Sequence, residues 1–506
     1  MELNVECQSS ELRQLVLAID QSTQGTKAVL FASNGSVVAK VALPHKQIIS
    51  DDGWVSHDVS EIYQNVLAAA RMVCEKASVR PGEVKALGIS NQRETCLAWD
   101  RKTGQPLAHA IVWQCGRAKD LCVEIAQQPG VSDKVRVLSG LELSPYFSAS
   151  KMSWLLTHES SVQKSLQEKT LALGTIDSWL IYSLTKGKVF ATEPSNACRT
   201  QLLDLYTASW SKELCQIFGV PEWTLPKVED SNSCFGFTTM DGLFDEAIPI
   251  HGVLGDSQAA LVAQNCVKSG DLKVTYGTGS SVMMQVGETP VTSERGLVSS
   301  IAWQLSGSRS YVLEGNLNYT GASISWLKDN LHLIEFPADV ELLMKEANPT
   351  DTTYFVPAFT GLGAPWWDSE ATALFTGMTR KTCRAELVSA VAQSIPLQIS
   401  DVVIALGQDA HVEVNSIKVD GGVTKNRLIM QLQADLCGKS VVISDLQELS
   451  AAGVAFVAGQ AVGVFKRNAI YDCLSHQIIE PAMKSDERDR KLYGWHQALR
   501  QARVHG

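Results

Sequence analysis

Leu15-Val-Leu-Ala-Ile-Asp20, Gln21-Ser-Thr-Gln-Gly-Thr26 and Lys27-Ala-Val-Leu-Phe31 follow one another without a break, and the fold is decided by how they are read. The first run is apolar up to its closing aspartate and has the length of a strand. The middle is a polar turn carrying hydroxyls and Gly25, a residue free to take positive φ. The third run is again strand-like, so the three pieces predict a β-hairpin. The same grammar returns at Asp271-Leu-Lys-Val-Thr-Tyr276, Gly277-Thr-Gly-Ser-Ser281 and Val282-Met-Met-Gln-Val286. Two strand–turn–strand units, each opening a long half of the chain, predict a duplicated architecture rather than a short-period solenoid.

Outward from each hairpin, strands and helices alternate. Asp58 is placed to cap a helix whose apolar face is Ile62, Val66, Ala69 and Val73. A strand over 84–90 then ends at Asn91-Gln-Arg-Glu-Thr95. Ile248 to Gly255 reads as another strand, with Asp256 opening a helix over 257–264. In the second half, Ala385 to Ile395 reads as a helix that Pro396 is expected to kink or end. A strand over 416–420 runs into Gly421-Gly422 and a helix from about Asn426 to Leu436. The pattern predicts α/β layers in both halves, with the domain boundary near Val267–Asp271.

Composition narrows the function classes. The chain has 506 residues, 45% of them hydrophobic, which is globular composition and at roughly 150 residues per domain predicts two to four domains. Lys and Arg number 44 against 54 Asp and Glu, a net charge of −10 that disfavours nucleic acid and anionic membrane as partners. Twelve scattered cysteines form no C-x-x-C pair, which excludes a zinc ribbon and suits a reduced, cytoplasmic protein. The first residues, MELNVECQSSELRQ, show no basic-then-apolar leader. The most apolar stretch, Leu449 to Phe465, is too short and too rich in Gly and Ala for a membrane span, and reads as a buried helix.

Several local constellations carry chemistry. Glycine-rich hydroxyl turns between strands present backbone N–H groups to phosphate oxygens, although each alone is also an ordinary hairpin turn. Gly438-Lys-Ser440 imitates the end of a Walker A loop, but Gln433 stands where that loop needs glycine. Asp256, at a strand-to-helix turn, is either a plain N-cap or a carboxylate that takes a proton from a substrate hydroxyl. Arg93-Glu94 lie just past a strand's carboxyl end, where α/β sheets place ligands. A donor beside an acceptor suits a neutral polyhydroxyl ligand; the plainer reading is a surface ion pair. Trp113, Tyr146, Trp366 and Trp367 are candidates for walling a polyol's carbon edge, with ordinary packing as the alternative.

Taken together, these segments resemble the FGGY carbohydrate kinases, most closely the branch that phosphorylates glycerol. The similarity runs from about residue 14 to about residue 465. It rests on Asp20-Gln-Ser-Thr23, Asn91-Gln-Arg-Glu-Thr95, Ile111-Val-Trp-Gln-Cys115, Pro145-Tyr-Phe-Ser148, Gly174-Thr-Ile-Asp-Ser-Trp179 and Ser195-Asn-Ala-Cys-Arg-Thr200. Further on it rests on Gly255-Asp256, Gln258-Ala-Ala-Leu261, Thr275-Tyr-Gly-Thr-Gly279, Gly321-Ala-Ser-Ile324, Phe359-Thr-Gly-Leu-Gly-Ala-Pro-Trp366 and Asp420-Gly-Gly422.

The resemblance implies two actin-like, ribonuclease-H-like domains hinged around a cleft. Residues 13–267 would form the N-terminal domain that binds the polyol and carries the first phosphate turn. Residues 268–466 would form the ATP-binding C-terminal domain, and 467–506 a helical tail. Carried over by position, Asp256 would be the general base, and Arg93, Glu94, Trp113, Tyr146 and Asp256 would hold the polyol. Thr23, Gln24, Gly25, Lys27, Thr278, Gly321, Gly422 and Asn426 would contact ATP. Asp20 and Asp256 would serve Mg²⁺, Asp20 through water. The implied reaction is ATP-dependent phosphorylation of a primary hydroxyl, glycerol to glycerol 3-phosphate. The alternatives are a kinase of another polyol or sugar, a four-carbon polyol or a ketopentose, or a catalytically weak nucleotide-binding sensor. The expected partners are a small polyol or sugar and further copies of the chain, as a dimer or tetramer, with no nucleic acid and no membrane.

Five positions depart from that branch's pattern. Lys27 replaces an arginine, Gly116 precedes Arg117 where two arginines are common, and Ser325 replaces a glutamine. Ser257 replaces the glutamine after the proposed base, and Ser281 replaces a phenylalanine. The last two changes remove bulk and leave small hydroxyls, so the expectation is a ligand longer or more polar than glycerol, such as a four-carbon polyol, or glycerol bound loosely through water.

Overall fold

The first hairpin forms as its pattern predicts: β1 (Leu15–Gln21) and β2 (Gly25–Ala32) pair antiparallel, with Leu17 opposite Leu30. This computed structural model describes residues 12–466, 470–471 and 475–504. The chain divides into two compact units, Met1–Ala263 with Trp303–Ser308 and Gln447–Cys473, and Gln264–Ala302 with Arg309–Leu446 and Leu474–Gly506.

In the first unit, β3 (Val37–Pro44) adds antiparallel to β2. The chain then crosses through α1 (Val59–Lys76) to β4 (Val84–Asn91), parallel to β1. Asp58 caps α1 by accepting the Ser60 N–H at 2.8 Å, and Ile62, Val66, Ala69 and Val73 are all buried, so the predicted face is the packed one. A two-residue strand β5 (Phe237–Thr238) pairs with β6 (Ile248–Gly255), and β6 lies parallel to β4. The sheet order is β5-β6-β4-β1-β2-β3. A smaller sheet that includes Cys96–Asp100, Ala110–Ile111 and Leu171–Thr175 packs on α2 (Ser148–His158) around Cys96, Ile111, Met152 and Leu173. Helix α3 (Asp256–Ala263) starts where β6 stops.

The second unit opens on the other predicted hairpin, β7 (Leu272–Tyr276) with β8 (Ser280–Gly287). Strands β9 (Val298–Leu305) and β10 (Ser308–Leu317) extend it, α4 (Gly321–Asp329) follows, and β11 (Ile417–Gly421), β12 (Val441–Ser444) and β13 (His476–Ile479) complete the order β9-β10-β8-β7-β11-β12-β13.

Helix α5 (Arg384–Ala410) runs straight through the stop expected at Pro396. Proline removes one N–H and costs about 3 kcal/mol in a helix interior. Here Ile395, Leu397, Ile399 and Val402 are buried on either side of it. Its carbonyl also accepts Ser400 Oγ at 2.7 Å. Tertiary burial outweighs the local penalty. This helix is long and apolar enough to cross a membrane, but 83% of its apolar window is buried inside the fold. Helix α6 (Arg427–Cys437) follows β11, and α7 (Leu449–Ala461) confirms the buried helix read in the apolar stretch.

A single cut near 267–271 would leave α7 in the second domain, but it clusters with the first unit. The reason is close packing on small residues. A Cβ on Gly453 would meet the Ala259 carbonyl at 1.8 Å, and one on Gly88 would meet the Val454 carbonyl at 2.7 Å. Helix α8 (Ser485–Ala502) forms within the expected tail. The ten described cysteines form no disulfide; Cys7 and Cys473 lie outside the described residues.

Candidate active site

Three neighbouring parallel strands of the first unit stop at one edge. Asp20 of β1 lies opposite Ser90 of β4, and Gly255 of β6 opposite Asn91. The next residues of each segment, Ser22 to Gly25, Gln92 to Thr95 and Asp256, therefore emerge side by side at the carboxyl ends of the strands, where such sheets place ligands.

Two carboxylates define this edge. Asp20 is 6% exposed and accepts Ser90 Oγ at 3.1 Å. Burial, reinforced by the charge of Asp256 and opposed by Lys27, pushes its pKa up to about 6. Asp256 is more open, with 37% of its side chain exposed. Its Oδ1 accepts the Ser257 N–H at 2.6 Å and Ser257 Oγ at 3.2 Å, and Arg93 Nε approaches the same oxygen at 3.5 Å. Among the described residues its Oδ2 has no hydrogen-bond partner. The cap-like contact and a free oxygen coexist on one carboxylate.

Lys27 Nζ bonds Glu448 Oε2 at 2.7 Å and stands 3.9 Å from Asp20 Oδ2, while Lys40 holds the other Glu448 oxygen at 3.1 Å. Burial works against the Lys27 charge, but Glu448 and Asp20 outweigh it and its pKa is raised.

Arg93 and Glu94 are buried, so the plain surface ion pair does not describe them. Arg199 Nε holds Glu94 Oε1 at 2.5 Å, and Ser148 Oγ bonds the Glu94 carbonyl at 2.8 Å, fixing a residue whose φ is +61°. Trp113 and Tyr146 face each other with ring centroids 5.4 Å apart, and Trp113 Nε1 donates to Thr23 Oγ1 at 2.9 Å. The polyol-side candidates and the first phosphate turn thus share one connected edge. Behind it, Asn91 and Asn196 exchange amide bonds at 2.8 and 3.1 Å, and Ser195 Oγ receives the Gly255 N–H at 2.9 Å. This ties the end of β6, and with it Asp256, to a turn anchored by the buried Glu193.

The second unit places its candidates on the corresponding edge. Tyr276 lies opposite Gly421, so the turn at Gly277-Thr-Gly279 sits beside Gly421-Gly422. Gly321 donates its N–H to the Gly277 carbonyl at 3.0 Å, and a Cβ on it would meet that oxygen at 2.5 Å. Thr278 and Gly422 are exposed, and nothing lies within 4 Å of a Cβ built on Gly422. Asn426 is occupied as the cap of α6, its Oδ1 accepting the Leu428 and Ile429 N–H groups at 3.1 Å. Beneath the turns, Asp420 accepts Thr275 Oγ1 at 3.1 Å and Gln264 Nε2 at 3.0 Å.

Residues 15–263 match the N-terminal domain of the FGGY family of carbohydrate kinases, and residues 272–462 match its C-terminal domain. The chain belongs to that family. Glycerol kinase 1 of Thermotoga maritima is 43% identical over 96% of this chain and 99% of its own length. The crystal structure of Plasmodium falciparum glycerol kinase with ADP superposes with a TM-score of 0.92 at 32% identity, over 98% of this chain and 99% of that one. Gluconate kinase from Lactobacillus acidophilus, 22% identical over 97% of this chain and 98% of its own, has a TM-score of 0.86 and shares the fold. This FGGY kinase is therefore an ATP-dependent phosphotransferase with an alcohol group as acceptor.

Trp366 and Trp367 of this FGGY kinase do not join the edge of either sheet. Trp366 packs under Arg503, 5.0 Å from ring to guanidinium, and near His496 of α8, while Trp367 bonds the Gly296 carbonyl. Their partners come from distant segments that no local spacing reveals. Sequence reasoning also missed the parts played by Arg199, Glu448 and Lys151. Arg199 sits in a quoted motif, but nothing local says that it reaches Glu94.

Proposed function

We propose that this FGGY kinase transfers the γ-phosphoryl group of ATP to a primary hydroxyl of glycerol, giving glycerol 3-phosphate and ADP. The observation that carries the reading is the half-open Asp256 carboxylate, with one oxygen held by Ser257 and the other without a partner among the described residues, next to buried Arg93 and Glu94. The glycerol kinases at 32–43% identity support the choice of polyol.

In this reading the hydroxyl oxygen of the polyol forms a bond to the γ-phosphorus as the bond to the bridging oxygen of ADP breaks. Asp256 takes the hydroxyl proton. Arg93 and Glu94 fix the remaining hydroxyls by donation and acceptance, and Trp113 and Tyr146 cover the carbon edge. Thr23, Gln24 and Gly25 in the first unit, and Thr278, Gly321, Gly422 and Asn426 in the second, attend the nucleotide, with Lys27 beside the phosphates. Phosphoryl transfer demands positioning and charge stabilisation more than covalent chemistry, so this donor set is sufficient.

Mg²⁺ is part of the proposal. It is commonly held by one or two carboxylates together with waters and substrate phosphates. The pairing of Asp20 with Asp256 fits that demand, and no cluster of three or more His, Cys, Asp or Glu groups occurs among the described residues. When bound, the ion neutralises charge on the transferred phosphoryl group.

A polyol longer than glycerol is the second reading. Its support is Ser257, a small residue beside the base whose hydroxyl sits 3.2 Å from Asp256. A purified-protein assay of ADP release against three- to six-carbon polyols and ketoses decides between them. Glycerol with the highest kcat/KM supports the first; erythritol or a ketopentose ahead of it supports the second. No polyol-dependent ADP release overturns both and leaves a nucleotide-binding sensor. A cytoplasmic homo-oligomer, dimer or tetramer, completes the proposal; light scattering measures the assembly.

A further inference from the structure

Lys151 of α2 has none of its surface exposed, yet it carries a cation into the apolar cluster around Val112, Ala149 and Met152. Burying an ammonium costs several kcal/mol unless its donors are satisfied. All three hydrogen bonds of its Nζ go to backbone carbonyls: Trp113 at 3.1 Å, Tyr146 at 2.5 Å and Phe147 at 3.4 Å. An ammonium has three donors, so the group is saturated without a carboxylate.

The acceptors come from two segments separated in the chain, and these carry the aromatic pair at the site. Trp113 also holds Thr23, and the Phe147 ring lies 5.1 Å from the guanidinium of Arg199, which in turn holds Glu94. One ammonium therefore sits behind the backbone of both aromatic walls on the polyol side, at Trp113 and at Tyr146-Phe147.

We propose that Lys151 is a positioning residue of the polyol pocket: its ammonium clamps the Trp113 and Tyr146-Phe147 backbones together, and so sets how tightly the acceptor is held. The inference rests on the polyol-kinase reading for the identity of the ligand, but the clamp itself does not depend on it. The charge is what matters, because a neutral amine has two donors for three carbonyls and no net charge. Burial lowers the Lys151 pKa to about 8. The titratable groups facing it are Cys96, Glu94, Cys115 and Cys122. Burial pushes the Cys96 thiol to about 12 and raises Cys122, while hydrogen bonds to Cys115, Arg117's foremost, lower its pKa against burial. The clamp is complete well below pH 8, half lost at about pH 8 and gone well above it.

Three measurements on the full chain test this. Lys151→Met is expected to raise KM for glycerol on the order of tenfold or more, as for loss of charge-assisted hydrogen bonds, with kcat and KM for ATP nearly unchanged. Lys151→Arg, which keeps the charge, recovers part of the loss. In the wild type, KM for glycerol rises between pH 7.5 and 9, and that rise is absent in Lys151→Met. Hydrogen exchange of segments 111–117 and 144–148, corrected for intrinsic rate, quickens over the same pH range without any ligand, and does so even if the methionine variant fails to fold. A folded Lys151→Met with unchanged glycerol KM, or unaltered protection in both segments at pH 9, overturns the proposal. If no polyol is phosphorylated at all, the polyol reading fails while the exchange measurement still decides the clamp.

Discussion

The two sheets are built to one plan and end in different chemistry. From β3 inward the pairings run antiparallel, antiparallel, parallel, parallel, antiparallel; from β10 inward the same sequence recurs. At the ends of the parallel strands, the first unit gathers charge: Asp20, Lys27, Arg93, Glu94 and Asp256. The second unit gathers glycine backbone at Gly277 to Gly279, Gly321 and Gly421-Gly422, with the Asp420 carboxylate doubly hydrogen-bonded below. A shared topology thus fixes where a site lies and leaves its chemistry to the turn residues.

The contrast breaks most easily at Asp256. Asp256→Asn is expected to lower kcat by about 10²–10⁴-fold, as for loss of a positioned base, with little change in thermal stability because the side chain is 37% exposed. Steady-state ADP release reads the first and thermal denaturation the second. If kcat survives, the charged edge is structural and the two sheets differ less than proposed.

Arg199→Met attacks the same edge from behind. Glu94 would lose its closest cation in a site where the two side chains are 3% and 1% exposed, which costs about 3–5 kcal/mol. Urea unfolding measures it, and a loss below about 1 kcal/mol would show that Arg93 alone suffices for Glu94.

Asp20 makes the comparison depend on pH. Its folded pKa, about 6, exceeds the ordinary 3.8, so the folded protein binds this proton more tightly than the unfolded chain. Its charge therefore costs almost nothing at about pH 3, increasingly more as pH rises from about 4 to 6, and a nearly constant amount above about pH 7. Asp20→Asn in metal-free protein should gain about 3 kcal/mol over wild type at pH 7 and almost nothing at about pH 3. An equal gain at both pH values would remove the buried charge as its cause.

Within the second unit, Gly421 and Gly422 separate fold from ligand. Gly421 has φ +99° and a Cβ there would lie 2.1 Å from the Tyr276 carbonyl, so Gly421→Ala should destabilise by about 1–3 kcal/mol. Gly422→Ala meets nothing within 4 Å and should leave stability alone. A rise in KM for ATP in that variant would then report the nucleotide itself. No rise would separate this turn from the phosphates.

Much of the fold was legible because its signals are local. The hairpin around Gly25, the capped face of α1 and the strand-to-helix step at Asp256 all declare themselves within a few residues. Pro396 misled because helix propensity is a weak term against the burial of Ile395, Leu397 and Ile399. The compact unit and the sequence boundary part company at α7, because its small-residue face packs against α3 and β4, which lie far back in the chain. At the site, Asp20, Arg93, Glu94 and Asp256 were readable as residues at strand ends. Arg199 and Lys151 were not: Glu94 lies 105 positions from Arg199, and Lys151 joins its own helix start to Trp113, 38 positions away, a link that no periodicity shows.

The order of residues along this chain was enough to set the strands, the duplicated hairpins and which side chains stand at strand ends, because periodicity and turn chemistry act over short distances. Only the packed structure decided which charges are out of water, which carboxylate oxygen keeps an open valence and which buried cation braces the aromatic wall. Desolvation and hydrogen-bond geometry depend on neighbours that arrive from anywhere in the chain.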